Sequence, residues 1–126
     1  MTKSFAAAAA LAVLLTASAA SAQALKTADT DKGKVFVDAK GMTLYTFDKD
    51  AGGKSACNGP CAENWPPLFA ADSDKPTADM TIVVRDDGKK MWAYKGKPLY
   101  TFKKDTAAGQ TTGDGFLNGA WHVAKP

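Results

Sequence analysis

The sequence predicts a small, mainly β domain: two pseudo-symmetric three-stranded β-meander repeats packed together, with one short helix after the first repeat. The first observation behind this is an internal repeat, since residues 31–50 return 55 positions later as residues 86–105 and match at 11 of 20 positions without gaps. The second is that glycine-containing turns separate short runs rich in aromatic and β-branched residues in each copy. The third is that, after residue 22, only one stretch carries helix signals, and it lies between the two copies.

The first copy contains a hairpin. Residues 34–38 and 42–47 are predicted strands, and the connection at residues 39–41 has the Gly41 expected of a hairpin with a bulge. Because side chains alternate along a strand, Tyr45 and Phe47 should share one face.

The second copy and the tail follow the same plan. Strands are predicted at residues 81–85, 89–94 and 98–102, and a closing strand at residues 121–123 after the turn at residues 113–115. The two repeats of the domain are therefore expected to span about 31–70 and about 86–126.

A short helix is predicted at residues 57–65. Pro60 fits the first helical position, and the pair Pro66 and Pro67 prevents the helix from continuing. Residues 71–79, rich in Asp, Ser, Thr and Pro, are predicted to form a solvated linker.

Residues 1–22 are predicted to be a cleaved export signal. Lys3 supplies the positive charge, residues 5–15 the apolar segment, and residues 20–22 an A-x-A cleavage site. Residues 23–126 would then form a single domain with 15 basic and 13 acidic side chains. So small a net charge, spread along the chain, gives no basis for a nucleic-acid or membrane partner. The expected location is periplasmic or secreted.

The repeated motif is predicted to be structural. A buried Tyr needs a hydrogen-bond partner, and the Asp just after each strand, Asp50 for Tyr45 and Asp105 for Tyr100, is the expected one. Paired acids for glycoside or proton-transfer chemistry are the alternative, but catalytic sites are usually single, asymmetric sets. The residues predicted to have structural roles are Tyr45, Phe47, Asp50, Trp65, Tyr100, Phe102, Asp105 and Trp121, with the two tryptophans as matching core residues.

The same residues carry a family resemblance. Tyr45-x-Phe47-x-x-Asp50 and its second copy resemble the Y-x-(F/W/Y)-x-x-D motif of bacterial secreted-repeat proteins, many described as predicted lipoproteins of unknown function. The resemblance extends through residues 57–68 and 113–123, and it implies a fold and a location but no reaction. A lipid anchor needs a cysteine directly after the cleavage point, so the absence of one at residue 23 predicts export without an anchor.

Cys57 and Cys61 are predicted to form a disulfide, because an exported chain with an even cysteine count meets an oxidising compartment. Residues four apart on a regular helix are too far apart for the bridge, and residues 58–60 must interrupt the helix between them. A thiol-disulfide redox protein is one alternative, although the spacing is not the C-x-x-C of such sites.

His122, the only histidine, gives the last alternative. With Cys57, Cys61 and one of Met42, Met80 and Met91 it would supply the soft ligands of a copper or electron-transfer site. We predict instead a protein without catalysis, cofactor or metal, a binding or structural module for an unknown protein or small-molecule partner in the periplasm.

Overall fold

The computed structural model describes residues 25–77 and 79–126, so the predicted export signal at residues 1–22 lies outside the described residues. Within these ranges no helix is long and apolar enough to cross a membrane. In chain order the elements are β1 (Lys26–Thr30), β2 (Gly33–Val37), β3 (Tyr45–Phe47), α1 (Pro60–Asn64), β4 (Met80–Val84), β5 (Lys90–Tyr94), β6 (Lys97–Pro98), α2 (Phe116–Gly119) and β7 (Trp121–Val123). The predicted mainly β class is confirmed.

Antiparallel hairpins form the start of each half. β1 pairs with β2, and β4, β5 and β6 form a three-stranded sheet in that order. The turn between β5 and β6 consists of Lys95 and Gly96, both with positive φ, which is the conformation of a tight two-residue hairpin turn. The corresponding turn of the first half is one residue longer, because Val37 there faces Thr43.

The third segment of each copy leaves its own meander. β3 pairs with β7, from the far end of the chain, and Tyr100 forms bridges with Tyr45 and Pro67. The sequence prediction of a self-contained three-stranded meander therefore fits the second half better than the first. The physical reason is that these segments exchange backbone hydrogen bonds across the molecule instead of only within one copy.

A pseudo-two-fold axis relates the two halves and passes between Tyr45 and Tyr100. The N–H of each tyrosine donates to the carbonyl oxygen of the other, at 2.7 and 3.0 Å. Other backbone hydrogen bonds, each from an N–H to a carbonyl oxygen, occur in matching pairs. The bond from Asp48 to Ala120 corresponds to the bond from Lys103 to Asn64. Likewise, the bond from Ala124 to Leu44 corresponds to that from Leu68 to Leu99, and the bond from Phe36 to Ala124 corresponds to that from Trp92 to Leu68. These pairs define which residues of the two halves are structurally equivalent.

A stack of four aromatic rings crosses the same axis in the core. Trp65 and Trp121 lie parallel at its centre, with ring centroids 3.7 Å apart and planes inclined by 2°. Phe102 stacks on the outer side of Trp65 at 4.0 Å and Phe47 on the outer side of Trp121 at 4.2 Å. Each half thus supplies one tryptophan and one phenylalanine, so neither half contains a complete core of its own.

The predicted helix is shorter than expected. It begins at Pro60, the position that the sequence predicted as first, but it ends at Asn64 and omits Cys57. Gly59, with φ of 58°, breaks the chain between the two cysteines, a conformation that suits glycine. The equivalent segment of the second half is α2, in which Leu117 and Asn118 have left-handed backbone angles. No sequence signal predicted α2.

Candidate functional site

The tyrosines of the repeated motif bond the aspartates of the opposite copies. The Tyr45 hydroxyl donates to Asp105 Oδ2 at 2.6 Å, and the Tyr100 hydroxyl donates to Asp50 Oδ2 at 2.7 Å. The prediction that each tyrosine would bond the aspartate of its own copy is therefore wrong. Tyr45 and Tyr100 lie side by side at the axis, and this places each hydroxyl near the loop of the other half.

The second oxygen of each carboxylate holds the loop that follows it. Asp50 Oδ1 accepts the N–H of Ala56 at 2.6 Å, and Asp105 Oδ1 accepts the N–H of Thr112 at 3.0 Å. Each aspartate therefore connects its own loop to the tyrosine of the other half.

Burial controls the ionisation of these groups. Both tyrosines are fully buried, and desolvation raises the pKa of each phenol far above its ordinary value, with the neighbouring carboxylate raising it further. Burial also raises the pKa of Asp50, against the hydrogen bonds from Ala56 and Tyr100, which lower it. The phenols therefore stay protonated as donors at neutral pH, and their hydroxyls contact protein groups instead of solvent. This arrangement is suited to holding the halves together.

Cys57 and Cys61 are joined by a disulfide, as the sequence predicted. Cys57 is completely buried, and its carbonyl oxygen accepts a 2.6 Å hydrogen bond from the guanidinium of Arg85. Arg85 is itself buried and also donates to Ser55 Oγ at 3.0 Å, which in turn lies 2.6 Å from the Tyr100 hydroxyl. The backbone beside the bridge thus joins a buried polar network that continues through Tyr100 to Asp50. Sequence analysis missed Arg85 and Ser55.

Loss of the disulfide is expected to lower the free energy of unfolding by about 2 kcal/mol, because the bridge closes a loop of only a few residues. Urea unfolding of oxidised protein and of protein with dithiothreitol measures this difference. The double variant Cys57→Ala and Cys61→Ala is the control, since reductant should not change its midpoint. An equal midpoint for oxidised and fully reduced wild-type protein would contradict a stabilising bridge.

The structure does not bring the proposed metal ligands together. Within the described residues no group of three or more His, Cys, Asp and Glu side chains is placed to hold a metal ion. His122 lies on the exposed side of β7, where its Nε2 is 2.8 Å from Asp48 Oδ2, and both cysteines are engaged in the bridge. The copper alternative therefore has no assembled site in this part of the chain.

The pseudo-two-fold axis separates residues that the fold uses twice from residues that occur once. The motif tyrosines and aspartates, the tryptophans and the phenylalanines of the stack all occur in both halves. A surface present in one half only is not required by the fold. It is therefore the better candidate for a functional site.

One such surface lies on the outer side of the β3–β7 sheet. Thr46 and His122 face outward from opposite positions on the two strands, while their neighbours are buried. A groove of about 560 Å³ lies beside them, within the size range of ligand pockets. We call this the β3–β7 groove, and it is lined by Thr46, Asp48, Tyr94, Lys95, Lys97, His122, Val123, Ala124, Lys125 and Pro126.

Most of the charged and aromatic side chains of the β3–β7 groove have different residues at the equivalent positions of the other half, although Thr46 matches Thr101 and Lys95 matches Lys40. Backbone pairing makes Lys97 equivalent to Met42, His122 equivalent to Pro66, Asp48 equivalent to Lys103, Tyr94 equivalent to Asp38 and Lys125 equivalent to Phe69. A second depression of about 510 Å³ continues from Asp48 to Leu117, whose side chain is exposed. Sequence analysis missed the three lysines. For Lys97 the available signal was that the other copy has Met42 at this position, whereas Lys95 aligns with Lys40 and gave no such signal.

Comparisons with known proteins agree with this architecture. The fold and its crossed bonds define a duplicated β-repeat domain whose halves complete each other. The family described as a secreted repeat of unknown function matches the chain twice, at residues 26–76 and 81–125, and the chain belongs to that family. Searches of curated proteins and of solved structures found no match.

Proposed function

We propose that this protein is exported to the periplasm or beyond and acts there as a binding module without catalysis, with the β3–β7 groove as its ligand site. The family description as secreted, together with the A-x-A sequence at residues 20–22, supports export. The observation that carries the binding role is the difference between the halves: Asp48, Lys97 and His122 of the groove have no counterpart of the same type in the other half, whereas the motif and core residues occur in both.

The burial and hydrogen bonding of the motif tyrosines favour a binding role over a catalytic one. A general acid or base must come within hydrogen-bond reach of a substrate. Tyr45 and Tyr100 are fully buried, and each hydroxyl is already bonded to a carboxylate of the protein. The most reactive side chains of the motif therefore stabilise the fold.

The position of the groove also suits recognition. Its floor is the β3–β7 sheet, which the aromatic stack supports from below, since Phe47 and Trp121 belong to those strands. Side chains on paired strands are held more firmly than side chains on loops. Ligand binding at such a site would need little rearrangement of the backbone.

Ligand screening by NMR tests this proposal. We expect some members of a fragment library, containing charged and uncharged compounds, to shift the amide signals of Thr46, Asp48 and His122 in ¹⁵N-labelled protein. The equivalent positions Thr101, Lys103 and Pro66 are the internal reference, and the amide signals of Thr101 and Lys103 should move less. A library that leaves the β3–β7 groove unperturbed, or that shifts both halves equally, would contradict the proposed site.

A further inference from the structure

We propose that the β3–β7 groove binds an anionic ligand, a compound of small-molecule size with at least one carboxylate or phosphate group. This inference rests on the proposed function and specifies its ligand class. Lys95, Lys97 and Lys125 line the groove together with one acidic side chain, that of Asp48, and with Pro126. Among the lining side chains, lysines therefore outnumber acidic groups.

The lysines of the groove have no protein counter-ion in the described part of the chain. The lysine ion pairs found there involve Lys32, Lys34 and Lys90, and none includes a lysine of the groove. The nearby Asp48 carboxylate is held by His122 at 2.8 Å. Positive side chains that share one groove without a counter-ion repel one another, and an anion bound beside Lys95 and Lys97 would reduce that repulsion.

Backbone geometry places two of these lysines. Lys95 lies at the first position of the tight β5–β6 turn with φ of 50°, a conformation that costs energy for a residue with a Cβ atom and is more readily adopted by Gly or Asn. Lys97 follows as the first residue of β6. The turn therefore places two lysines at the edge of the groove.

Tyr94 gives the site an apolar part. Its ring is half-buried, packs edge-on against Phe36 at 4.6 Å and has the Lys95 ammonium 5.4 Å from its centroid. An anion with a planar or apolar body would pack on this ring while its charged group contacts the lysines. Inorganic phosphate should therefore bind more weakly than a larger polyanion.

The test is NMR titration of ¹⁵N-labelled protein with inorganic phosphate, with citrate and with a short oligoglutamate peptide, at constant ionic strength. We expect saturable shifts at residues 94–97 and 121–125. The uncharged triethyl ester of citrate should not produce them. Comparison of phosphate with the two carboxylate probes identifies the preferred anionic group.

Variants decide whether the groove or general surface charge binds the anion. Lys97→Gln should weaken citrate binding about 2- to 5-fold, as expected for one exposed charge contact. The triple variant Lys95→Asn, Lys97→Gln and Lys125→Gln should weaken it at least about 10-fold. Asp48→Asn should strengthen it, because the only acidic side chain of the groove lining is removed. Lys103→Gln, at the position equivalent to Asp48, is the matched control and should leave the affinity unchanged.

Two results would overturn the inference. One is the absence of saturable shifts with all three anions, and the other is an equal loss of affinity in Lys97→Gln and Lys103→Gln. If uncharged fragments bind the groove and anions do not, the ligand class is wrong but the proposed binding function stands. If neither class of compound perturbs the groove, both proposals fail.

Discussion

Tyr45→Ala and Tyr100→Ala are each expected to lower the free energy of unfolding by about 3–5 kcal/mol, because each removes a fully buried ring and leaves a cavity. Each also leaves an aspartate of the opposite half without its donor. Since a domain of this size has about 5–10 kcal/mol of stability, either variant should be largely unfolded. Urea unfolding, with midpoints compared at constant slope, measures the effect.

The phenylalanine variants test the crossed pairing itself. Tyr45→Phe should cost about 1–3 kcal/mol, the value of a buried hydrogen bond whose acceptor is left unpaired. In a double-mutant cycle Tyr45→Phe should couple with Asp105→Asn and be additive with Asp50→Asn within about 0.5 kcal/mol. Tyr100→Phe should show the reverse pattern. Coupling of Tyr45 with Asp50 instead of Asp105 would contradict the crossed arrangement.

Alkaline pH is expected to destabilise the protein by about 3 kcal/mol between about pH 9 and about pH 11 through Tyr45 and Tyr100 alone. Burial raises the pKa of both phenols far above the ordinary value, so they keep their protons in the folded state. In the unfolded chain they lose their protons above about pH 10. The folded state then binds more protons than the unfolded state, and stability decreases as the pH rises.

Urea unfolding at a series of pH values measures this loss, and matched variants assign it. Tyr100→Phe should remove about half of the pH-dependent part, because one of the two phenols is absent. Tyr94→Phe, which alters a half-buried ring outside the crossed pair, should retain all of it. An identical pH dependence in wild-type protein and in Tyr100→Phe would show that the buried phenols do not control alkaline unfolding.

Local sequence signals predicted the features that depend on local chemistry. The internal repeat predicted two similar halves, Pro60 marked the start of α1, and the residues between Cys57 and Cys61 allowed a disulfide outside the helix. These features depend on turns, backbone angles and short loops, which the nearby residues determine.

The crossed bonds and the groove could not be predicted in the same way. Tyr45 lies 60 residues from Asp105, and Tyr100 lies 50 residues from Asp50. With two identical motifs in the chain, the partner within the same copy is the nearer one in sequence, and only the three-dimensional pairing of the halves selects the other. The groove likewise combines the β5–β6 turn with β7, two elements that the sequence does not place together.

The reciprocal contacts at the axis have a consequence for the ancestry of the fold. In a chain with one repeat, the tyrosine hydroxyl would lack the aspartate that accepts its hydrogen bond, and only half of the aromatic stack would be present. Such a chain would need a second copy of itself to supply the aspartate and the other two rings. The present arrangement is what gene duplication and fusion of such a symmetric homodimer would produce. Once the two copies were joined in one chain, their sequences no longer had to stay identical. Lys97 and Lys125 could then arise in one half while Met42 and Phe69 occupy the equivalent positions of the other.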